Sequence, residues 1–299
     1  MKKTAPFMIL GAGSLWGLLG VFVRSLNHYG FSSLEITCLR SLVTFLFIFI
    51  FLLFYDKQQL KIAAKDIWMF MGSGILSIAF FSFCYFKTIL LSSLSVAAVL
   101  LYTAPVFAVF LSALFFKEAV DRWKVLALFL AITGCAFTTG LLGGKVTLSV
   151  SAVLTGLGAG FGYSLYSIFG KVALKKYAPL TLTFYTFVFS FIATLFLSHP
   201  VALAKKIICC PISIPTILLC GIFSGVVPYV LYTLGLKYTE AGRASILASI
   251  EPVAATCVSV FYFREPLGLS GLCGILLVLT ALIIMNRPSA ERKEPHHGF

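Results

Sequence analysis

Ten apolar stretches, each long enough to cross a bilayer, leave this chain of 299 residues little room for anything else. They fall at about 5–24, 34–54, 67–86, 94–116, 123–141, 149–170, 180–198, 213–236, 244–263 and 268–286. A helix of about 17–25 apolar residues spans the hydrocarbon core, and lipid forces each segment to satisfy its own backbone polar groups. The stretches therefore predict an all-α integral membrane protein with ten transmembrane helices. Charged residues make up 11% of the chain, against about 25% in a soluble domain. The connections are short, and only a polar tail, 288–299, extends past the last span, where disorder is expected.

The formal net charge of +13 is a topology signal and not a nucleic-acid footprint. With the N-terminus placed in the cytoplasm, Lys2, Lys3, Lys57, Lys61, Lys65, Lys117, Arg122 and Lys124 fall on the inner side. So do Lys171, Lys175, Lys176, Lys237, Arg243, Arg287, Arg292 and Lys293, sixteen in all. Six fall outside: Arg24, Lys87, Lys145, Lys205, Lys206 and Arg264. That excess of inner lysine and arginine predicts cytoplasmic termini. Met1-Lys2-Lys3 ahead of an apolar run imitates a secretory signal. However, "LGAGSLWG" (10–17) has a twin in "LGAGFGYS" (157–164), which makes the segment part of the fold.

That twin belongs to a longer repeat at an offset of 147. Residues 97–118 align without gaps on 244–265, with eight identities that include Pro105/Pro252, Ser112/Ser259 and Glu118/Glu265. The same offset pairs Gly11 with Gly158, Gly74 with Gly221 and Tyr85 with Tyr232. Two five-helix copies are expected, 1–145 and 146–287. Because five is odd, the second copy must enter the membrane inverted. Inverted repeats place a binding site between the halves near the midplane, the architecture of alternating-access secondary transporters.

The stretches "LYTAPVFAVFLSALFFKE" (101–118) and "AGRASILASIEPVAA" (241–255), with the GxG openings at 11–13 and 158–160, resemble the EamA family. These are ten-helix carriers of the drug/metabolite transporter superfamily, and the resemblance covers about residues 5–286. It implies a bacterial inner-membrane carrier of amino acids, their derivatives or other small metabolites, often exported. Some relatives import S-adenosylmethionine, so a transporter of S-adenosylmethionine or S-adenosylhomocysteine is the alternative within the family. Two departures stand out: Ala104 occupies the position of Glu251 in the other half, and Lys87 stands where an apolar or aromatic residue is expected.

Glu251 and Arg40 are the charges set well inside the spans, where an ionised side chain costs about 2.5–3.5 kcal/mol and marks a functional candidate. Three roles are open for Glu251: holding a substrate amino group, carrying a coupling proton, or bonding across helices. Arg40 either pairs with Glu35 or snorkels outward, or else receives a substrate carboxylate. Pro252 frees the carbonyl of Ala248, and Pro105 frees that of Leu101. Two repeat-related helices broken at one level point to a binding region and a hinge. Trp16, Tyr85, Tyr102, Tyr163, Tyr166 and Tyr232 supply aromatic walls. Each ring alone is read as packing, but the group is read as including ligand contacts. Glu118 and Glu265, next to Lys117 and Arg264, are either gate locks on opposite faces or solvated helix-end pairs.

Other chemistry finds no footing in the sequence. The eight cysteines and four histidines show no metal-ligand spacing, and no nucleophile–base constellation lies at reactive spacing. No metal, cofactor or enzymatic activity is expected. The glycines at 156, 158, 160 and 162 follow no strand, so they are read as close helix packing rather than a phosphate loop. A lipid scramblase or structural membrane protein is the rival of another class, and it requires a greasy groove in place of an enclosed polar cavity. The expected partners are a small solute, the lipid bilayer and, for a coupled carrier, protons.

Overall fold

The computed structural model describes residues 3–138, 149–262, 264 and 268–286. The expected boundary at 145/146, Glu265 and the tail 288–299 lie outside the described residues. Everything described is helix or short connection. The first copy contributes α1 (Ala5–Gly17 and Leu19–His28), α2 (Ser33–Tyr55), α3 (Ala64–Leu91), α4 (Leu94–Leu101 and Ala104–Phe116) and α5 (Arg122–Thr138). The second contributes α6 (Val150–Ala173), α7 (Pro179–Leu197), α8 (Pro211–Tyr238), α9 (Ala241–Ala248 and Glu251–Phe261) and α10 (Leu269–Asn286). A short surface helix, Pro200–Cys209, joins α7 to α8. Among the described residues, eight helices are long and apolar enough to cross a membrane, namely all but α5 and α10. Those two have 17 and 18 residues and pack on each other.

Local chemistry sets the ends and the irregularities. α2 opens on a capping box in which Ser32 Oγ accepts from the Glu35 N–H and Glu35 accepts from the Ser32 N–H. Pro179 starts α7, where a missing N–H costs nothing. α3 and α8 each carry a π-helical segment beginning at a glycine, Gly72–Ala79 and Gly221–Val226. α4 and α9 each tighten into a turn just ahead of their proline. Tyr102 and Ser249, 147 apart, have φ/ψ of −71/4 and −65/2. The repeat persists to single dihedrals: Lys117 and Arg264, also 147 apart, are both left-handed, at φ 55 and 56.

Helix packing exchanges the copies reciprocally. α1 lies on α8 and α9 as α6 lies on α3 and α4, while α2–α7, α4–α9 and α5–α10 pair with their own twins. Gly13 and Gly17 make the close approach of α1 to α9. A Cβ at Gly13 would fall 2.9 Å from Ala248 O, and one at Gly17 would fall 2.9 Å from Glu251 O and 2.8 Å from Ala255 N. Gly156 meets Leu100, and Gly160 meets Thr103 and Ala104. Both contacts advance in step along the two chains, so α1 runs parallel to α9 and α6 parallel to α4. α2 and α7 run antiparallel, joined by Ser41–Ser190 at 3.0 Å and Phe49 stacked on Phe184.

One glycine carries a direct prediction. Gly17→Ala forces a methyl against backbone that cannot yield, an overpacking cost of about 1–3 kcal/mol. Gly20, with nothing within 4 Å of its added Cβ, is the control. Thermal unfolding in detergent should show a lowered midpoint for Gly17→Ala and an unchanged one for Gly20→Ala; equal midpoints contradict the packing.

Candidate functional site

The turns in α4 and α9 face each other across a narrow cavity of about 10 Å³, room for about one water. Leu101, Tyr102, Ala104 and Pro105 line it from α4, Ser245, Ala248, Ser249 and Glu251 from α9, and Tyr163 from α6. The freed Ala248 carbonyl is covered by the backbone of Gly13, a close approach that suits a weak Cα–H···O contact. Glu251 heads the second half of α9, where the helix N-terminus favours a negative charge. Its Oε2 accepts from the Tyr163 hydroxyl at 3.2 Å. The cavity thus has a carboxylate, a phenol and two serine hydroxyls on otherwise apolar walls.

The remaining candidates surround this cavity without lining it. Trp16 packs edge-on against Tyr163 and Tyr229, with centroids 6.2 and 5.0 Å apart, and tilts against Tyr232 at 5.3 Å. Its Nε1–H is buried with no acceptor among the described residues. Tyr166 and Tyr232 spend their hydroxyls on helix packing, with Thr233 at 3.0 Å and Ser167 at 2.7 Å. Tyr85 is one ring removed, since Phe81 stands between it and Tyr163. Arg40 neither pairs with Glu35 nor snorkels. It is buried and lies within electrostatic range of Tyr229 and Glu251. Glu35 instead takes Lys206, whose ammonium sits 2.8 and 2.9 Å from its two oxygens. Lys87 is exposed.

Three residues that matter here were not singled out from sequence: Tyr229, Ser245 and Ser249. Tyr229 stands three residues before Tyr232 on the same helical face, a spacing that flags it. Ser245 and Ser249 are four apart and immediately precede Glu251, so "SILASIEP" carries the signal.

One end of the bundle, rich in lysine and arginine, is tied across the two copies. Glu118 is not a solvated partner of Lys117. Its carboxylate accepts the N–H groups of Ala241 and Gly242 at 2.8 and 3.2 Å, capping the start of α9 from the other copy. Lys124, nearly buried, bonds Glu240 and the Ala119 carbonyl, both at 2.8 Å. Lys171 donates to the Leu236 and Thr239 carbonyls at the end of α8, at 3.0 and 2.5 Å. Asp66 takes Lys176 and the Tyr177 hydroxyl, and that carboxylate holds the Lys176 ammonium above the usual lysine range.

Comparison with known proteins agrees with this architecture. The model of the EamA-like transporter family matches the chain twice, over residues 3–140 and 150–287. An uncharacterized transporter of Archaeoglobus fulgidus is 32% identical over 282 residues, covering 91% of this chain and 93% of that protein. The uncharacterized transporter YyaM of Bacillus subtilis is 27% identical, covering 83% of each chain. A solved crystal structure superposes with a TM-score of 0.73 over 94% of this chain and 96% of its own, at 16% identity, which speaks to the fold alone. The chain belongs to the EamA-like transporter family: it is a multi-pass membrane transporter built of two family repeats.

Proposed function

We propose that the protein is an alternating-access secondary transporter, with ten spans arranged as two inverted five-helix repeats, 1–145 and 146–287. Both termini and the tail 288–299 are cytoplasmic, and the membrane is the bacterial inner membrane. The directions of packing support the inversion: if helices alternate within each copy, α9 parallel to α1 and α6 parallel to α4 require one copy to be upside down. The basic end, with residues 117–124, 171–176 and 237–243, is then the cytoplasmic one.

The observation that carries the reading is a membrane-embedded carboxylate in a cavity between two repeat-related broken helices. The solute is a small metabolite bearing an amino group, an amino acid or a derivative. Glu251 receives that group or carries the coupling proton, and Pro105 and Pro252 mark where the halves rock. At about 10 Å³ the cavity is nearly closed, far below the ~300–1,000 Å³ of sites for drug-sized ligands, so the halves must part to admit a solute. A carboxylate, a phenol and two hydroxyls gathered between the halves argue against a greasy scramblase groove. Purified protein in liposomes, offered labelled amino acids and S-adenosylmethionine, should take up a member of the amino-acid set saturably. No saturable uptake across a broad panel defeats the carrier reading.

A further inference from the structure

Buried hydroxyls in this protein are mostly satisfied within the fold. Thr44, Thr88, Ser112, Ser164, Thr194 and Ser224 each bond a carbonyl three or four residues back, the habit of serine and threonine in helices. Ser77 and Ser82 form no side-chain hydrogen bond to a described residue, but the exceptions that line the cavity are Ser245 and Ser249. They are 3% and 4% exposed, both line the cavity, and neither hydroxyl bonds any described residue. Neither oxygen is sealed in the core without a partner; both serines line the cavity, so two hydroxyls on adjacent turns of one helix face are placed for something that enters it.

We infer that Ser245 and Ser249, together with Glu251, form a head-group subsite that recognises a primary ammonium on the transported solute. The inference rests on the carrier reading of the same cavity. An ammonium offers three N–H donors and no acceptor, and the subsite offers three acceptors: one carboxylate and two hydroxyl oxygens. The C-terminus of the first half of α9 and the N-terminus of the second meet at this level, so their dipoles oppose and the carboxylate sets the sign of the site. No lysine, arginine or histidine lines the cavity. An anionic group would meet the carboxylate, and a quaternary ammonium would enter the aromatic surroundings yet leave both serines unpartnered. The two hydroxyls therefore select for N–H donors and set the tolerated degree of N-methylation. In the first copy these positions are Ala98 and Tyr102, so the subsite belongs to one half.

The test measures ligand-induced thermal stabilisation of the purified full-length protein in detergent, with phenethylamine and its N,N,N-trimethyl analogue as probes. The wild type should be stabilised by the primary amine at concentrations about tenfold lower than by the quaternary one. Ser245→Ala/Ser249→Ala should bind the two probes alike, and Ser249→Thr in the Ser245 background should keep the preference. A merely structural role would shift the unliganded midpoint without erasing the discrimination. Equal response of the wild type to both probes overturns the inference, as does discrimination that survives loss of both hydroxyls. Stabilisation by sodium chloride over choline chloride, with none by the amine, overturns it in favour of a metal cation. Saturable uptake of an amino acid by a double-alanine variant that still discriminates sinks the subsite and leaves the carrier reading standing. Absence of uptake from every solute sinks the carrier reading instead.

Discussion

Glu251→Gln should reduce saturable uptake by about tenfold to a hundredfold while the protein remains folded. The amide keeps the volume of the carboxylate and still accepts from Tyr163, so packing around the α9 turn is preserved. What it loses is charge, and hydrogen bonds to a charged group contribute about 1.5–3 kcal/mol, where 1.4 kcal/mol is a factor of ten. Tyr163→Phe removes a single neutral donor at 3.2 Å and should cost less, within about tenfold. Initial uptake rates in liposomes, with and without an imposed pH gradient, separate the roles of the carboxylate. Exchange without net gradient-driven uptake in Glu251→Gln would mark a proton carrier. Loss of both would mark a substrate ligand, and wild-type behaviour in both would reduce Glu251 to helix glue. A larger defect in Tyr163→Phe than in Glu251→Gln would contradict the site as described.

Glu251 was legible because a carboxylate inside an apolar span has so few inexpensive explanations. The breaks before Pro105 and Pro252 were legible for a similar reason, since a ring without an N–H must disturb the turn ahead of it. The aromatics were not equally readable. A tyrosine in a span can face a cavity or bond a neighbouring helix, and sequence carries no sign of which. Tyr102 and Tyr163 reach the cavity, whereas Tyr166 and Tyr232 are consumed by Thr233 and Ser167. Serine is harder still, because its hydroxyl usually disappears into its own helix, and only the surrounding packing reveals that Ser245 and Ser249 did not follow that habit. Arg40 looked like a partner for Glu35 five residues earlier. The capping box and Lys206 had already claimed that carboxylate, from segments that sequence proximity does not connect.

Glu118 shows how the reciprocal packing turns a helix-end residue into a latch. Its neighbour Lys117 suggests a local ion pair, but the left-handed turn at Lys117 redirects the chain, and the carboxylate lands on the N-terminus of α9 in the other copy. Two orphan N–H groups of a helix start are thereby satisfied by a charge that complements the helix dipole. The loop before α9 is held on both sides, by Lys171 on the last carbonyls of α8 and by Lys124 on Glu240. For the cavity to open toward this end, α9 must move from α4 and the latch must break. Glu118→Ala should therefore shift the conformational equilibrium toward that opening by about 2 kcal/mol, roughly thirtyfold in population. Glu118→Gln, which keeps a neutral acceptor, should shift it less. Ala248→Cys, in a chain whose native cysteines are replaced, reports the opening. Its labelling by an impermeant maleimide from the basic face should rise in the order Glu118, Gln, Ala, while labelling from the opposite face falls. An unchanged rate in Glu118→Ala would mean that Glu118 caps α9 in every state and plays no part in the gate.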